Sequence, residues 1–157
     1  MAATIYSVDY YTTTVEDRPG QGCRFLELLA AEDVNLLAFN AFPVGRDRTQ
    51  LIIYPLNTTW LADVARRRRI RLVGPRHAFM VHGDDSLVAL TGIHQKLWDA
   101  QINVAGSSGV ANGRGGYRYI MHVAAEDFER ACVILDVDRT VGPDLQLKIF
   151  RRFQAIG

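Results

Sequence analysis

Laid over itself at a shift of 68 positions, the 157-residue sequence matches itself from Asp17 to Pro75. Asp17 falls on Asp85, Leu29 on Leu97, Val34 on Ile102, Asn35 on Asn103 and Arg46 on Arg114. Val73-Gly74-Pro75 falls on Val141-Gly142-Pro143. Apolar positions stay in phase between these: Phe25 with Ile93, Leu51 with Tyr119, Ile53 with Met121, Trp60 with Phe128. One ungapped offset over such a length predicts two copies of one unit, residues 1–74 and 75–142, and then a tail, 143–157.

Each copy reads the same way locally. In the first, "TIYSVDYYTTTV" is rich in β-branched and aromatic residues and predicts a strand. "GQGCRFLELLAAED" puts Phe25, Leu28 and Leu29 at helical spacing. "VNLLAFNAFPV" and "TQLIIYP" are strands around the turn "GRDR", "TTWLADVARRRR" is a helix with a Thr cap, and "IRLVG" is a last strand closed by Gly-Pro. In the second copy the strands are "RHAFMVHG", "INVAGSSGVA", "GYRYIMHVA" and a short "DRTV". The helices are "DSLVALTGIHQKLWDA", capped by Asp85 or Ser86, and "EDFERACVILDV". The order βαββαβ predicts an α+β chain of two ferredoxin-like units in tandem, with antiparallel sheets and the helices on one face. In the tail, "LQLKIFRR" alternates and fits an edge strand.

The run "VEDRPGQGCRFLELLAAEDVNLLAF" resembles the opening of an ACT domain, a small-molecule sensor module. The shared pattern is an acid two residues before Pro-Gly, an amphipathic helix, and a Val-Asn opening the second strand. The resemblance spans both copies. It implies regulatory units that pair side by side and bind an amino acid at the interface between units. Carried over by position, the ligand-facing residues are Asp17, Gly20 and Asn35, with Asp85 and Asn103 in the second copy; Arg18, Pro19 and Leu36 adjoin them as further binding candidates, and Ser107 lies in the small polar run "AGSSGV", where a ligand could fit. The chemistry agrees: a helix N-terminus receives a carboxylate, and Gly20 lets a ligand approach the backbone. Asp17 would take the ammonium, and the Asn35 amide both donates and accepts. A plainer account stays open, in which Asp17 only caps the helix and Pro19 only starts it. The second copy is the weaker site, because Leu87-Val88 stands where the first has Pro19-Gly20.

Other chemistry finds less support. A net charge of +1 favours neither nucleic acid nor an anionic membrane as partner. The four arginines Arg66–Arg69 close a helix, where cations suit the dipole and face solvent. Tyr117 and Tyr119, two apart, are the one hint of a base-stacking platform. His77, His82, His94 and His122 form no ligand spacing, so no metal or other cofactor is expected and the histidines should be partly buried. Cys23 and Cys132 are too few for a disulfide framework, Cys23 reads as a buried thiol, and a reducing cytoplasm is the default. The start "MAATIYSVDYY" lacks a basic-then-apolar leader, and no apolar run is long enough to span a membrane. No nucleophile–base set compels a reaction, so the expectation is not an enzyme, with Asp17, Asp85 and His82 as the titratable candidates were it one. The function expected is a cytoplasmic, homodimeric regulatory or sensor protein. A ligand-free oligomerisation module is the alternative.

Overall fold

The structure is a computed structural model and describes residues 3–84, 87–111, 113–137 and 139. It is mixed α+β, with β1 (Thr4–Glu16), α1 (Gln21–Ala31), β2 (Leu36–Pro43), β3 (Arg48–Pro55), α2 (Thr58–Arg68) and β4 (Val73–Asp84). Then come α3 (Leu87–Asp99), β5 (Val104–Ala111), β6 (Gly116–Val123), a 3₁₀ turn (Ala125–Asp127) and α4 (Phe128–Ile134). The expected "DRTV" strand, the tail, Asp85 and the Asp85 or Ser86 cap lie outside the described residues, apart from Arg139, which is in a turn. No described helix is long and apolar enough to cross a membrane.

The chain packs as two compact units whose boundaries are not the contiguous 1–74 and 75–142. One holds residues 9–76; the other holds residues 3–8 with 77–139. In the first, β2, β3 and β1 pair antiparallel in that order. The alternating strands and the apolar stripe of α1 bury Tyr11, Leu29, Val34, Ile53, Leu61 and Val64, with Phe25, Leu28 and Phe39 against them. In the second, β4, β6 and β5 pair antiparallel over a core that includes Phe79, Val81, Ile93, Leu97, Ile102 and Met121. Ala3 and Ile5 pack on this second core, and the Tyr6 hydroxyl donates to Sδ of Met80 at 3.0 Å. Strand β1 therefore divides between the units after Val8.

The repeat is visible in backbone detail. The β2 and β5 bulges fall at Leu36/Ala38 and Val104/Gly106, the same 68 residues apart. Left-handed residues recur at Asp33 and Gln101 (φ 54 and 57°) and at Gly45 and Gly113 (φ 73 and 71°). The amide of Val34 donates to the Leu29 carbonyl, and that of Ile102 to Leu97, at 2.9 and 2.8 Å.

The offset then slips by one residue. Leu61, Val64 and Ala65 of α2 are buried where Phe128, Ala131 and Cys132 are, a shift of 67. The amides of Ile70 and Val137 close their helices on Ala65 and Cys132 with the same shift, and Arg69 and Asp136 both turn left-handed there. Trp60, 39 % exposed, is thus no counterpart of the buried Phe128. Burial, rather than residue similarity, sets the true register.

Two local expectations also change. The N-cap of α2 is Asn57, whose side chain accepts from the Trp60 amide at 2.9 Å, and not a threonine. "IRLVG" and "RHAFMVHG" are not two strands parted by Gly-Pro; β4 starts at Val73 and runs straight through. It can do so because Gly74, at φ 139°, has no side chain. A Cβ there would stand 2.9 Å from both the Tyr10 carbonyl and the Tyr11 ring.

Candidate functional site

The segment between β1 and α1 forms an open corner. Gly20 is the N-cap of α1, left-handed at φ 90°, and no side chain caps the helix. Asp17 does not cap it. Its amide donates to the Asp47 carbonyl at 2.9 Å, and its Oδ1 accepts from the Thr49 hydroxyl at 3.2 Å. Thr49 and Asp47 belong to the β3 end of the neighbouring hairpin, so Asp17 is tied sideways to the sheet. Pro19 lies in the turn and does not start α1, which begins at Gln21. Asp17, Arg18, Pro19 and Gly20 are all exposed, and Arg18 pairs with Glu16 at the surface. A Cβ added at Gly20 or Gly22 would meet nothing within 4 Å. The Gln21 amide donates to the Arg18 carbonyl at 3.3 Å, and no side chain caps the rest of the first turn, whose partial positive charge faces the exposed corner.

Asn35 is exposed and its carbonyl accepts from the Leu56 amide at 2.9 Å. That contact fixes its distance from Asp17. Glu16 faces Arg48 and Leu36 faces Pro55, so Asp17 and Asn35 lie at opposite ends of β3. Seven steps of extended chain at ~3.3 Å each separate those ends by roughly 23 Å. The two residues of one unit cannot hold the same amino acid. Leu36 is half-buried and packs on the first core.

In the second unit Asn103 is exposed, just ahead of β5, and Ser107 is exposed on β5 opposite Met121. They are four residues apart, about 13 Å along an extended strand. Of the two glycines in this strand, Gly106 sits at the bulge, and a Cβ at Gly109 would press on the Tyr119 ring at 3.0 Å.

The remaining constellations are structural. Arg66 and Arg67 bind Asp63 at 2.5 and 2.9 Å, and Arg67 and Arg68 bind Glu32, whose carboxyl they hold below its ordinary range. The Arg67 guanidinium also lies over the Trp60 ring at 5.2 Å. Three of the four arginines are thus spent on local partners. Tyr117 and Tyr119 are buried in the second core and offer no stacking platform. His82 is buried, with its ring stacked on Tyr6 at 5.2 Å; burial first, then Arg118, lowers its pKa to about 4. His94 and His122 are half-buried, while His77 is exposed and lies against Phe128. Cys23 is exposed, contrary to expectation, because it falls on the face of α1 away from Phe25, Leu28 and Leu29. The buried thiol is Cys132. Sequence reasoning missed a groove beside Asn103, lined by His94, Trp98 and Gln101; an exposed tryptophan on an amphipathic helix was its signal.

No family model matches the sequence, and no curated protein does. Solved structures do. A protein of Bacteroides thetaiotaomicron superposes with a TM-score of 0.71 at 13 % identity, covering 85 % of this chain and 88 % of that one. The ligand-free regulatory subunit of aspartate kinase from Thermus thermophilus gives 0.60 at 12 % identity, with 87 % and 96 % covered. That from Thermus flavus gives 0.54 at 11 %, with 87 % and 95 % covered. At such identities the likeness is one of fold, and the fold is the ACT type that the sequence resembles.

Proposed function

We propose that this chain, built on the fold of an ACT-type regulatory subunit, is a non-catalytic regulatory protein of the cytoplasm that binds a small molecule, an amino acid. The observation that carries the reading is the uncapped start of α1 beside Asp17 and Gly20. In this reading the first-turn amides supply donors for a carboxylate, and the exposed Asp17 supplies an acceptor for an ammonium. In this reading the two βαββαβ units are a ferredoxin-like tandem. The fold shared with aspartate kinase regulatory subunits supports a regulatory role.

The opposed positions of Asp17 and Asn35 add a condition. An amino acid touching both kinds of residue sits where the Asp17 end of one chain meets the Asn35 end of a second chain, and in this reading the protein acts as a homodimer. Arg18 and Pro19 shape the corner, and Leu36 orients Asn35 from the core side. Asp85, Asn103 and Ser107 form the weaker second-copy counterpart. Ligand binding then favours one packing of the pair over another, which transmits the signal.

One observation favours a second reading, the ligand-free oligomerisation module. The outer strands β2 and β5 carry no charged residue to blunt their edges.

A thermal-shift screen against the twenty amino acids separates the two. A ligand specific to the folded state at a hundredfold excess over its Kd adds about 2.7 kcal/mol of apparent stability. We expect one or two compounds to raise Tm clearly, and Asp17→Ala and Gly20→Val to lose that shift while staying folded. A flat screen, or an unchanged shift in both variants, removes the proposed site.

A further inference from the structure

In the second unit, His94 and Trp98 of α3, Gln101, Ile102 and Asn103 after it, and Val104 opening β5 line an open groove of about 440 Å³. That is the size of a small-molecule site. His94 and Trp98 are four residues apart and share one helix face. Nε2 of His94 lies 2.8 Å from the Tyr119 hydroxyl, which fixes the imidazole. The Gln101 side chain donates to the Trp98 carbonyl at 3.1 Å. None of the six lining side chains is a carboxylate, ammonium or guanidinium, yet the Trp98 indole is 70 % exposed.

The repeat makes this composition informative. The corresponding first-unit residues are Leu26, Ala30, Asp33, Val34, Asn35 and Leu36. The frame is kept: the buried Val34 and Ile102, the two asparagines, and the left-handed turn at Asp33 and Gln101. What differs is an imidazole, an indole and an amide where the first copy has Leu26, Ala30 and Asp33. Alanine serves this helix position in one copy, so the fold itself does not call for an exposed indole in the other.

We propose that this groove binds an uncharged planar heteroaromatic ring, stacked on Trp98 and hydrogen-bonded along its edge by the Asn103 amide. Indole offers a wide π face, and the amide reads a donor–acceptor edge. This site shares only Asn103 with the amino-acid reading and does not need Asp17 or Gly20. Two sources present such a ring: a purine nucleoside, or the side chain of a heteroaromatic amino acid.

Calorimetric titration of the full chain with adenosine and with L-tryptophan tests it, in wild type, Trp98→Ala, Trp98→Phe and Asp17→Ala. We expect at least one probe to bind, about tenfold more weakly in Trp98→Ala, as ring stacking on an aromatic side chain implies. Binding is kept in Trp98→Phe and Asp17→Ala, and the probe that binds names the source. If neither probe binds, or Trp98→Ala binds as wild type, the groove is no such site. L-tryptophan binding lost in Asp17→Ala but kept in Trp98→Ala overturns the groove while leaving the amino-acid reading intact. A change of oligomeric state in Trp98→Ala with ring binding unaltered also overturns it, making Trp98 a protein contact.

Discussion

Acid should weaken the folded chain through His82. The imidazole is 8 % exposed, packed on Tyr6 and faced by Arg118. Nε2 of His82 is in hydrogen-bond contact with the Tyr6 hydroxyl. Burial, and then the Arg118 charge, lower the folded pKa to about 4 from 6.5. Below about pH 6.5 the unfolded chain takes up a proton that the folded chain refuses until about pH 4. The His82 contribution is therefore fully present above the unfolded value and is lost as pH falls through that window. A gap of about 2.5 units at 1.36 kcal/mol each is roughly 3 kcal/mol in all, of which about 2 kcal/mol goes between about pH 7.5 and 5. Stopping there keeps clear of Glu32, Asp63 and Glu129, whose carboxyls arginines hold below their ordinary range. His122, also lowered by burial, acts in the same direction, so the comparison must be with a variant. Urea unfolding followed by circular dichroism at both pH values, in wild type, His82→Phe and His82→Gln, isolates the term. Wild type should lose about 2 kcal/mol more than either variant. An equal loss in wild type and in a folded variant refutes the assignment.

Gly74→Ala should destabilise by at least about 2 kcal/mol, because the new Cβ meets Tyr10 and Tyr11 at a φ that L residues avoid. Gly45→Ala, strained at φ 73° but with nothing within 4 Å, should cost only about 1 kcal/mol in the same urea assay. Equal costs would mean that β4 does not need the close approach. Asn57→Ala removes the cap of α2 and should cost about 1 kcal/mol, which Asn57→Asp largely restores. No loss in the alanine variant would return the capping role to the threonines.

Much of the fold was legible because its signals are local and periodic. A run of β-branched and aromatic residues marked β1, and the spacing of Phe25, Leu28 and Leu29 marked α1. The rest depended on what the chain meets at a distance. Nothing in "IRLVGPRHAFMVHG" says that β4 passes Gly74 beside Tyr10, so Gly-Pro read as a break. Residue similarity aligned Trp60 with Phe128, whereas the core aligns Leu61 with it. The distance between Asp17 and Asn35 was likewise hidden. Their positions in sequence resemble a single site, and only the antiparallel register of β3 sets them at opposite ends of a unit.

The duplication also separates what the fold requires from what it leaves free. Leu29 and Leu97, Val34 and Ile102, and Ile53 and Met121 are buried in both copies, and a change there would open a cavity in either core. The bulges and the left-handed turns at Asp33 and Gln101 are tied to backbone geometry and recur with them. Solvent-facing positions carry no such constraint, and there the copies part company at opposite ends of the equivalent helix. The first copy keeps Pro19-Gly20 at the start of α1, where the second has Leu87-Val88 with Val88 exposed. The second copy places His94, Trp98 and Gln101 at the end of α3, where the first has Leu26, Ala30 and Asp33. Were each surface merely solvated, small or charged residues would serve both copies equally. On the two readings proposed above, the uncapped start of α1 takes a charged head group and the exposed indole beside an amide in the second copy takes a neutral ring.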